Sequence, residues 1–248
     1  MTLSIVVPAL DEAKVIAEAV ARVAAAAPDG EILIVDDGST DATAEIATRA
    51  LQGGKGRVLR LPENRGKGAA VKEGMLAATG EIRAFIDADL SVDPRYLGDL
   101  LAAHRRGAEV VVASRRLPGS RLDRHQPWIR EAMGTVYRTT ASLLLARGIS
   151  DFTCGLKGFT AEAARDLFGS SRMPRFGFDV EVLYLARRRG YRIEEIPVAW
   201  SDEPDTRVRL PIDTARSLIE LLAVPWNGLR GRYGPPRLPR GSTPRAAP

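Results

Sequence analysis

The feature that most constrains the fold is a regular alternation of short apolar segments and longer amphipathic segments in the first half of the chain. The short segments are rich in β-branched residues, which predicts strands over residues 3–7, 31–35, 57–61, 82–86 and 109–113. Apolar residues at helical spacing predict helices over 11–27, 40–51, 68–78 and 94–107. This alternation predicts an α/β fold with a mainly parallel sheet flanked by helices. In such a sheet, ligands bind beyond the carboxyl ends of the strands.

The second half has a different pattern. We predict a long helix over residues 126–149, a helix over 179–189, an extended segment over 191–200 and an amphipathic helix over 211–224. Glycines interrupt the segment over 151–159, to which we assign no helix or strand. From Gly231 the sequence is rich in Gly, Pro and Arg and has no acidic residue, which predicts a disordered basic tail. We therefore expect one domain over residues 1–230 and a tail over 231–248.

Length and composition restrict the class of protein. A chain of 248 residues, 45% of them hydrophobic, is long enough for one large α/β domain. A single cysteine, Cys154, excludes an internal disulfide bond and a cysteine-based metal cluster. The net charge of +5 favours an anionic partner, and the lack of interleaved aromatic residues argues against a nucleic acid. We expect a cytoplasmic protein, since there is no signal peptide and no apolar run of roughly 20 residues.

Acidic residues follow three of the predicted strands. They form three pairs: Asp11 with Glu12, Asp36 with Asp37, and Asp87 with Asp89. Helix capping explains any one of these pairs. Three pairs at one edge of a sheet concentrate negative charge, which requires a cation or a ligand rich in hydrogen-bond donors.

The triplet Asp87-Ala88-Asp89 is the most informative of these pairs. It follows the buried strand predicted over residues 82–86. If the strand stays extended, alternation places both carboxylates on one side, and a turn at this point would let both face one place. Oxygen ligands at this spacing suit Mg²⁺ or Mn²⁺ held jointly with substrate phosphates. A triplet of this kind is a weak signal alone, and its position after a buried strand strengthens it. We predict Asp87 and Asp89 as metal ligands.

The segment Asn64-Arg65-Gly66-Lys67-Gly68 precedes a predicted helix and combines two cations with two glycines. Free backbone amides in such a loop can hold a phosphate. The segment is not a Walker A motif, and the chain has no GxGxxG motif. A solvated surface turn is an equally good interpretation of this segment taken alone.

Together these motifs resemble glycosyltransferase family 2. The four that carry the resemblance are Val6-Val7-Pro8-Ala9-Leu10-Asp11-Glu12, Val35-Asp36-Asp37-Gly38-Ser39-Thr40-Asp41, Asn64-Arg65-Gly66-Lys67-Gly68 and Asp87-Ala88-Asp89-Leu90. Two later segments, Asp151-Phe152-Thr153-Cys154-Gly155-Leu156-Lys157 and Phe178-Asp179-Val180-Glu181-Val182-Leu183, are similar to the dolichyl-phosphate β-glucosyltransferase branch. The resemblance covers roughly residues 3–210.

The resemblance implies a GT-A (Rossmann-like) fold with C-terminal amphipathic helices, and an inverting transfer from a nucleotide-sugar to a polyprenyl phosphate. The donor would be UDP-glucose or a UDP-N-acetylhexosamine. By the family pattern, the residues binding the nucleotide-sugar would be Pro8, Leu10, Glu12, Val35, Asp37, Lys67, Asp87 and Ala88. Two positions depart from the pattern: Leu10 stands where relatives often have Tyr, and Ser91 where they have a Gln metal ligand.

A phosphate acceptor changes what the site must supply. A phosphomonoester has a second pKa near ~6, so at neutral pH it is largely a dianion that needs cations rather than a base. Arg115 and Arg130 are our candidates for binding it, ahead of Arg121 and Arg124, because arginine contacts phosphate oxygens in bidentate fashion. Asp179 would orient the acceptor or the sugar. The predicted catalytic residues are therefore Asp89, Arg115, Arg130 and Asp179.

Three alternatives remain open at this point. In the first, the acceptor is a glycan hydroxyl and Asp179 acts as the base. In the second, the enzyme makes polyprenyl-phosphate mannose from GDP-mannose. In the third, the chain is a regulator that binds a nucleotide-sugar without turnover.

A lipid acceptor also implies contact with a membrane. The predicted helices over 126–149 and 211–224, with Trp226, Tyr233 and the arginine-rich tail, would bind an anionic membrane surface peripherally at its cytoplasmic face. Packing in the core or in a homo-oligomer is the alternative for these helices. Arg207 stands where the family has a Lys in a mobile loop.

Overall fold

The computed structural model describes residues 1–122, 140, 148–200 and 212–234. The strands in these residues are β1 (Leu3–Ala9), β2 (Glu31–Asp36), β3 (Gly56–Arg60), β4 (Ile82–Ile86), β5 (Val110–Ser114), β6 (Arg121–Leu122), β7 (Leu156–Thr160), β8 (Ile193–Pro197) and β9 (Ala199–Trp200). The helices are α1 (Ile16–Ala26), α2 (Thr43–Ala50), α3 (Lys67–Ala77), α4 (Leu97–Arg105), α5 (Ala161–Ser170), α6 (Phe178–Arg188) and α7 (Ile212–Leu229). A short 3₁₀ helix, Pro94–Tyr96, precedes α4.

Seven strands form one sheet in the order β3-β2-β1-β4-β7-β5-β8, and β6 pairs with β9 in a second, two-stranded sheet. In the main sheet, β1 is parallel to β2 and β4, β2 to β3, and β5 to β8. The mainly parallel α/β sheet predicted from the alternating pattern is therefore confirmed. Its topology brings the carboxyl ends of β1, β2 and β4 to one edge, where the three acidic pairs follow.

Strand β7 begins within the glycine-interrupted segment over residues 151–159, for which no strand was predicted. It lies between β4 and β5 and is antiparallel to both, so it enters the sheet from the opposite direction. Gly158 permits this insertion, because a Cβ atom there would lie 2.6 Å from Leu100 Cδ2 of α4. The antiparallel direction places the start of β7, at Leu156, opposite the end of β4, at Ile86. The preceding segment thus lies beside the Asp87-Ala88-Asp89 turn.

The sheet has a core on each face. On one face the rings of Phe85 and Phe178 have centroids 5.7 Å apart, and those of Phe159 and Phe168 are 5.2 Å apart in an edge-on arrangement. On the other face, α1 and α4 bury aliphatic residues against β1 and β4. Aromatic pairs of this geometry contribute beyond the area they bury. The first core holds β7 and α6 against the strands predicted from the sequence.

The C-terminal part of the chain departs from the predicted boundaries. Helix α7 runs to Leu229, past the predicted end at residue 224 and through Pro225. The packed region continues to Tyr233, which is 4% exposed, beyond the predicted start of the tail at Gly231. Residues 235–248 of the predicted tail, and nearly all of the helix predicted over 126–149, lie outside the described residues.

No helix within the described part of the chain has both the length and the apolar character needed to cross a membrane.

Candidate active site

The Asp87-Ala88-Asp89 triplet forms a tight turn at the end of β4. The amide of Leu90 donates to the Asp87 carbonyl at 3.0 Å, and Leu90 itself has a φ of 50°. A bulky residue rarely adopts this left-handed conformation, so the fold imposes it here. The amide of Ser91 donates to Asp89 Oδ1 at 3.0 Å and fixes that carboxylate in turn.

Lys67, at the start of α3, makes a close ion pair with this turn. Its Nζ lies 2.7 Å from Asp87 Oδ1 and 2.8 Å from Oδ2. Desolvation by itself lowers the pKa of Lys67, but the negative charges of Asp87, Asp179 and Asp89 outweigh it and raise that pKa overall. Lys67 is therefore a cation held beside the Asp87–Asp89 turn and the carboxylate of Asp179, which lies on the distant helix α6.

The carboxyl group of Asp89 lies close to the negative charge of Asp87. Desolvation of its carboxyl group, together with the neighbouring charge of Asp87, raises the pKa of Asp89 above its ordinary value. A cation at this turn would relieve that repulsion. Within the described residues, no group of three or more acidic, His or Cys side chains is arranged to hold a metal ion. Two carboxylates fit a Mg²⁺ or Mn²⁺ whose other ligands are substrate phosphates and water.

Asp37 shapes the loop that carries Lys67. Its Oδ1 accepts the amide of Arg65 and its Oδ2 the amide of Gly66, both at 2.8 Å. Asp37 is 3% exposed. The two amides that we considered for a phosphate therefore bind a carboxylate of the protein. The loop serves instead to direct Lys67 towards Asp87.

The glycines of this loop are needed for close packing. A Cβ at Gly66 would lie 2.5 Å from the Pro174 carbonyl oxygen, and one at Gly68 would lie 2.6 Å from that of Met173. Gly66 also has a φ of 101°, which other residues rarely adopt. The segment Met173–Pro174, before α6, therefore packs directly against this loop and forms what we call the wall over the Lys67 loop. The amide of Ala69 donates to the Pro174 carbonyl oxygen at 2.9 Å.

The loops after β1 and β2 are held together by Asp11. Its Oδ1 accepts the amides of Thr40 and Asp41 at 2.7 and 3.3 Å, and its own amide donates to Ser39 Oγ at 2.8 Å. Asp11 has a φ of 50°. Carboxylate–amide bonds of this kind are charge-assisted and therefore stronger than neutral ones.

The predicted donor-binding residues lie along the same edge. Pro8 and Val35 are buried partners in the β1–β2 register, and Leu10 and Glu12 are half-buried in the loop that follows β1. Ala88 is buried within the turn after β4.

Arg115, at the end of β5, is bound to Asp151. Its Nε lies 2.7 Å from Asp151 Oδ2 and its Nη2 lies 2.9 Å from Oδ1. Nη2 also donates to Thr153 Oγ1 at 3.0 Å, and the guanidinium lies 5.4 Å from the Trp200 ring. Although desolvation opposes ionisation, Arg115 lowers the pKa of Asp151 to about 2. The pair is ionised, and Arg115 is held rigidly with part of its donors engaged.

Lys157 and Asp179 form a second, more deeply buried pair. Lys157 Nζ lies 2.6 Å from Asp179 Oδ1 and donates to the Cys154 carbonyl at 2.9 Å, and it is 5.3 Å from the Phe85 ring centre. Lys157 is 1% exposed. Burial raises the pKa of Asp179 in spite of the opposing charges of Lys157 and Lys67.

Lys157 was not among the residues predicted for the site, although it lies within the Asp151–Lys157 motif. The available signal was a lysine inside the Leu156–Thr160 segment, whose neighbours are apolar or glycine. Such a lysine is buried only with a partner of opposite charge.

Gly155 brings the segment before β7 into direct contact with the Asp87-Ala88-Asp89 turn. Its carbonyl accepts the amide of Asp87 at 3.1 Å, and a Cβ at this position would lie 2.5 Å from Asp87 Oδ2. The fold therefore brings Asp87, Asp89, Lys67 and Asp179 together, and it places the segment with Asp151 and Lys157 beside them. Arg124, Arg130 and Arg207 lie outside the described residues, as does the side chain of Arg121.

Comparison with known proteins shows which proteins the chain resembles in sequence and in fold. The family model described as glycosyl transferase family 2 matches residues 4–168. A dolichyl-phosphate beta-glucosyltransferase of Trichomonas vaginalis, ALG5C, is 35% identical over 73% of this chain and 55% of its own length. The dolichyl-phosphate beta-glucosyltransferase of Dictyostelium discoideum is 35% identical over 69% of this chain and 55% of its own. The chain thus spans about half the length of these curated relatives.

A solved structure has a similar fold. Glucosyl-3-phosphoglycerate synthase of Mycobacterium tuberculosis, in complex with Mn²⁺, UDP-glucose and phosphoglyceric acid, superposes with a TM-score of 0.69. The match covers 95% of this chain and 80% of the other at 20% identity, so it concerns the fold alone.

Proposed function

Because this chain belongs to glycosyltransferase family 2, we propose that it transfers a sugar from a UDP-sugar to a polyprenyl phosphate. The family resemblance and the GT-A fold expected from the motifs are both confirmed. The donor in this proposal is UDP-glucose or a UDP-N-acetylhexosamine, and the product is a lipid-linked monosaccharide of inverted anomeric configuration. Both curated relatives described above are named for dolichyl phosphate as the sugar acceptor.

The observation that carries the proposal is the placement of Lys67 and the Asp87–Asp89 turn against the segment of Gly155. A diphosphate bound at this turn would meet one fixed ammonium and two carboxylates that favour a divalent cation. Bound Mg²⁺ or Mn²⁺ would supply charge neutralisation for the departing diphosphate. Pro8, Leu10, Glu12, Val35, Asp37 and Ala88 would hold the nucleoside and ribose along the edge formed by β1, β2 and β4.

The acceptor side of the proposal uses the phosphate as its own nucleophile. An oxygen of the phosphate dianion attacks the anomeric carbon from the face opposite the diphosphate, and the bond to the diphosphate breaks. No proton has to be removed from such a nucleophile. Arg115, held in place by Asp151, would present its remaining donors to the acceptor phosphate. Arg130 is proposed for the same role and lies outside the described residues.

Asp179 fits a positioning role better than that of a base. Its carboxylate is bound by Lys157 at 2.6 Å and is 6% exposed, so it is neither free nor freely reached by a hydroxyl. Its negative charge also acts on Lys67. This favours the phosphate acceptor over the glycan hydroxyl, which requires a base in contact with it.

The test is a panel of radiolabelled UDP-glucose, UDP-N-acetylhexosamines and GDP-mannose, each with polyprenyl phosphate and Mg²⁺ or Mn²⁺. We expect acid-labile label in the organic phase with one of the UDP-sugars. Label with GDP-mannose alone would identify the mannose synthase instead. Label only in a glycan, or none with any donor, would contradict the polyprenyl acceptor.

A matched acceptor series separates the two mechanisms. Polyprenyl phosphate and the corresponding polyprenol differ only in the phosphate, so transfer to the phosphate alone supports a nucleophile that needs no base. By this proposal the enzyme acts peripherally at the cytoplasmic face of a membrane, where the lipid acceptor is available.

A further inference from the structure

Helix α7 carries a second apolar face that does not belong to the core. Leu222, Trp226 and Leu229 are 58%, 54% and 83% exposed, although they are large and apolar. Their spacing of four and then three residues places them on one side of the helix, in a row that we call the outer stripe. On the opposite side, Leu221 and Val224 are fully buried in the core. The exposure is thus a property of one helix face, rather than of a frayed end.

A cation lies beside the outer stripe, and the sequence that follows Glu220 carries charge of one sign. The guanidinium of Arg230 lies 4.7 Å from the centre of the Trp226 ring, so a cation sits beside the largest apolar side chain. After Glu220 the sequence has no Asp or Glu, and its arginines are Arg230, Arg232, Arg237, Arg240 and Arg245. An aromatic ring with an adjoining arginine is the combination that favours the headgroup region of a bilayer.

We propose that the outer stripe of α7 inserts into the headgroup region of an anionic lipid bilayer. Leu222, Trp226 and Leu229 would enter the apolar boundary, and Arg230, beside Trp226, would contact a lipid phosphate. This inference deepens the proposed function, since a polyprenyl phosphate is presented by a membrane, but its first test needs neither donor nor acceptor.

A second copy of the chain is a weaker occupant of this surface. The outer stripe spans eight residues, or roughly 10 Å of helix between its first and last member. A stable protein interface buries on the order of 1,200 Å² or more, which three side chains do not supply. A net charge of +5 also opposes self-association and favours an anionic surface.

The same helix is connected to the active site. Glu220, on the side of α7 away from the outer stripe, accepts the amide of Gly177 at 2.8 Å. Gly177 ends the segment whose Met173 and Pro174 carbonyls pack against Gly68 and Gly66 of the Lys67 loop. Docking of α7 on a bilayer would therefore hold the site at a fixed position relative to the lipid.

The experiment is flotation of the full chain with vesicles of phosphatidylglycerol and phosphatidylcholine, compared with phosphatidylcholine alone. The test variant combines Leu222→Ser, Trp226→Ser and Leu229→Ser, which are exposed positions that the core does not need. Leu76→Ser, at a 38% exposed leucine of α3, is the matched control. We expect the wild type and the control to float with anionic vesicles and the triple variant to bind at least about ten-fold more weakly.

Arg230→Gln should weaken binding by about five-fold and only for anionic vesicles, as expected for one cation at such a surface. Transfer to a short, water-soluble polyprenyl phosphate should be unchanged in the triple variant, whereas transfer to a vesicle-embedded acceptor should fall.

Three outcomes would overturn the proposal. These are a wild type that does not float, a triple variant that floats like the wild type, and a wild-type dimer that the triple variant dissociates without loss of vesicle binding. Failure of sugar transfer in every assay would contradict the proposed function and leave the flotation result standing.

Discussion

The two sides of the candidate site use carboxylates in different ways. On the side of β1 and β2, Asp11 and Asp37 accept backbone amides and fix the shape of loops. On the side of β7 and α6, Asp151 and Asp179 bind the side chains of Arg115 and Lys157. Loss of a partner on the first side frees a loop, while loss of a partner on the second leaves a buried charge without compensation. We therefore expect the first side to govern donor binding and the second to govern stability.

The largest effect should come from Lys157→Met, which leaves the Asp179 carboxylate buried and unpaired. Breaking a buried ion pair in this way costs about 3–5 kcal/mol of unfolding free energy. Urea denaturation measures it, with the exposed Lys14→Met as control. The double variant Lys157→Met/Asp179→Asn should recover much of the loss; equal stability of the single variant and the wild type would show that the pair does not matter.

Asp89→Asn should reduce sugar transfer by about 10²–10³-fold, the usual effect of removing one group that stabilises a leaving anion. Stability should not fall, because the substitution removes repulsion from Asp87. Initial rates with Mg²⁺ or Mn²⁺ and a thermal melt measure the two quantities. A variant with full activity would remove Asp89 from the proposed metal site.

Asp37→Asn should raise the KM for the donor by about ten-fold, since an amide side chain accepts only one of the two loop amides and leaves the other unsatisfied. The value of kcat should change much less. Donor titrations measure both, and Asp29→Asn, at a fully exposed carboxylate, is the control. A change confined to kcat would place Asp37 on the chemical step instead.

The smallest effect should come from Tyr233→Phe. The Tyr233 hydroxyl donates to Glu181 Oε1 at 2.7 Å, while Glu181 Oε2 accepts the amides of Arg172 and Met173. Loss of one such hydrogen bond costs about 0.5–1.5 kcal/mol, and the remaining bonds hold the wall over the Lys67 loop. Thermal melts detect the change. A fall in sugar-transfer rate with an unchanged melting temperature would show that the segment after α7 positions the donor side of the site.

Most of the strands and helices in the first half of the chain were predicted from the sequence, because each is marked by a local pattern of apolar residues. Strands β1 to β5 and the helices between them have the apolar spacing that predicted them, and Asp87 and Asp89 lie at the turn where the pattern placed them. Strand β7 was not predicted, because Gly155, Lys157 and Gly158 interrupt the apolar run expected of a buried strand. A segment of five residues has too little periodicity to overcome those signals.

By itself, the sequence determined the α/β class, the family and the edge of the sheet at which the acidic pairs gather. Strand alternation and the carboxylates after β1, β2 and β4 are sufficient for this, because parallel strands end at a common edge. The pairing of Lys67 with Asp87, the pairing of Lys157 with Asp179 and the hold of Asp37 on its loop are visible only once the chain is folded. These contacts join residues 20 to 29 positions apart. Which cation each carboxylate meets depends on the antiparallel insertion of β7 and the packing of α6, and no local pattern encodes either.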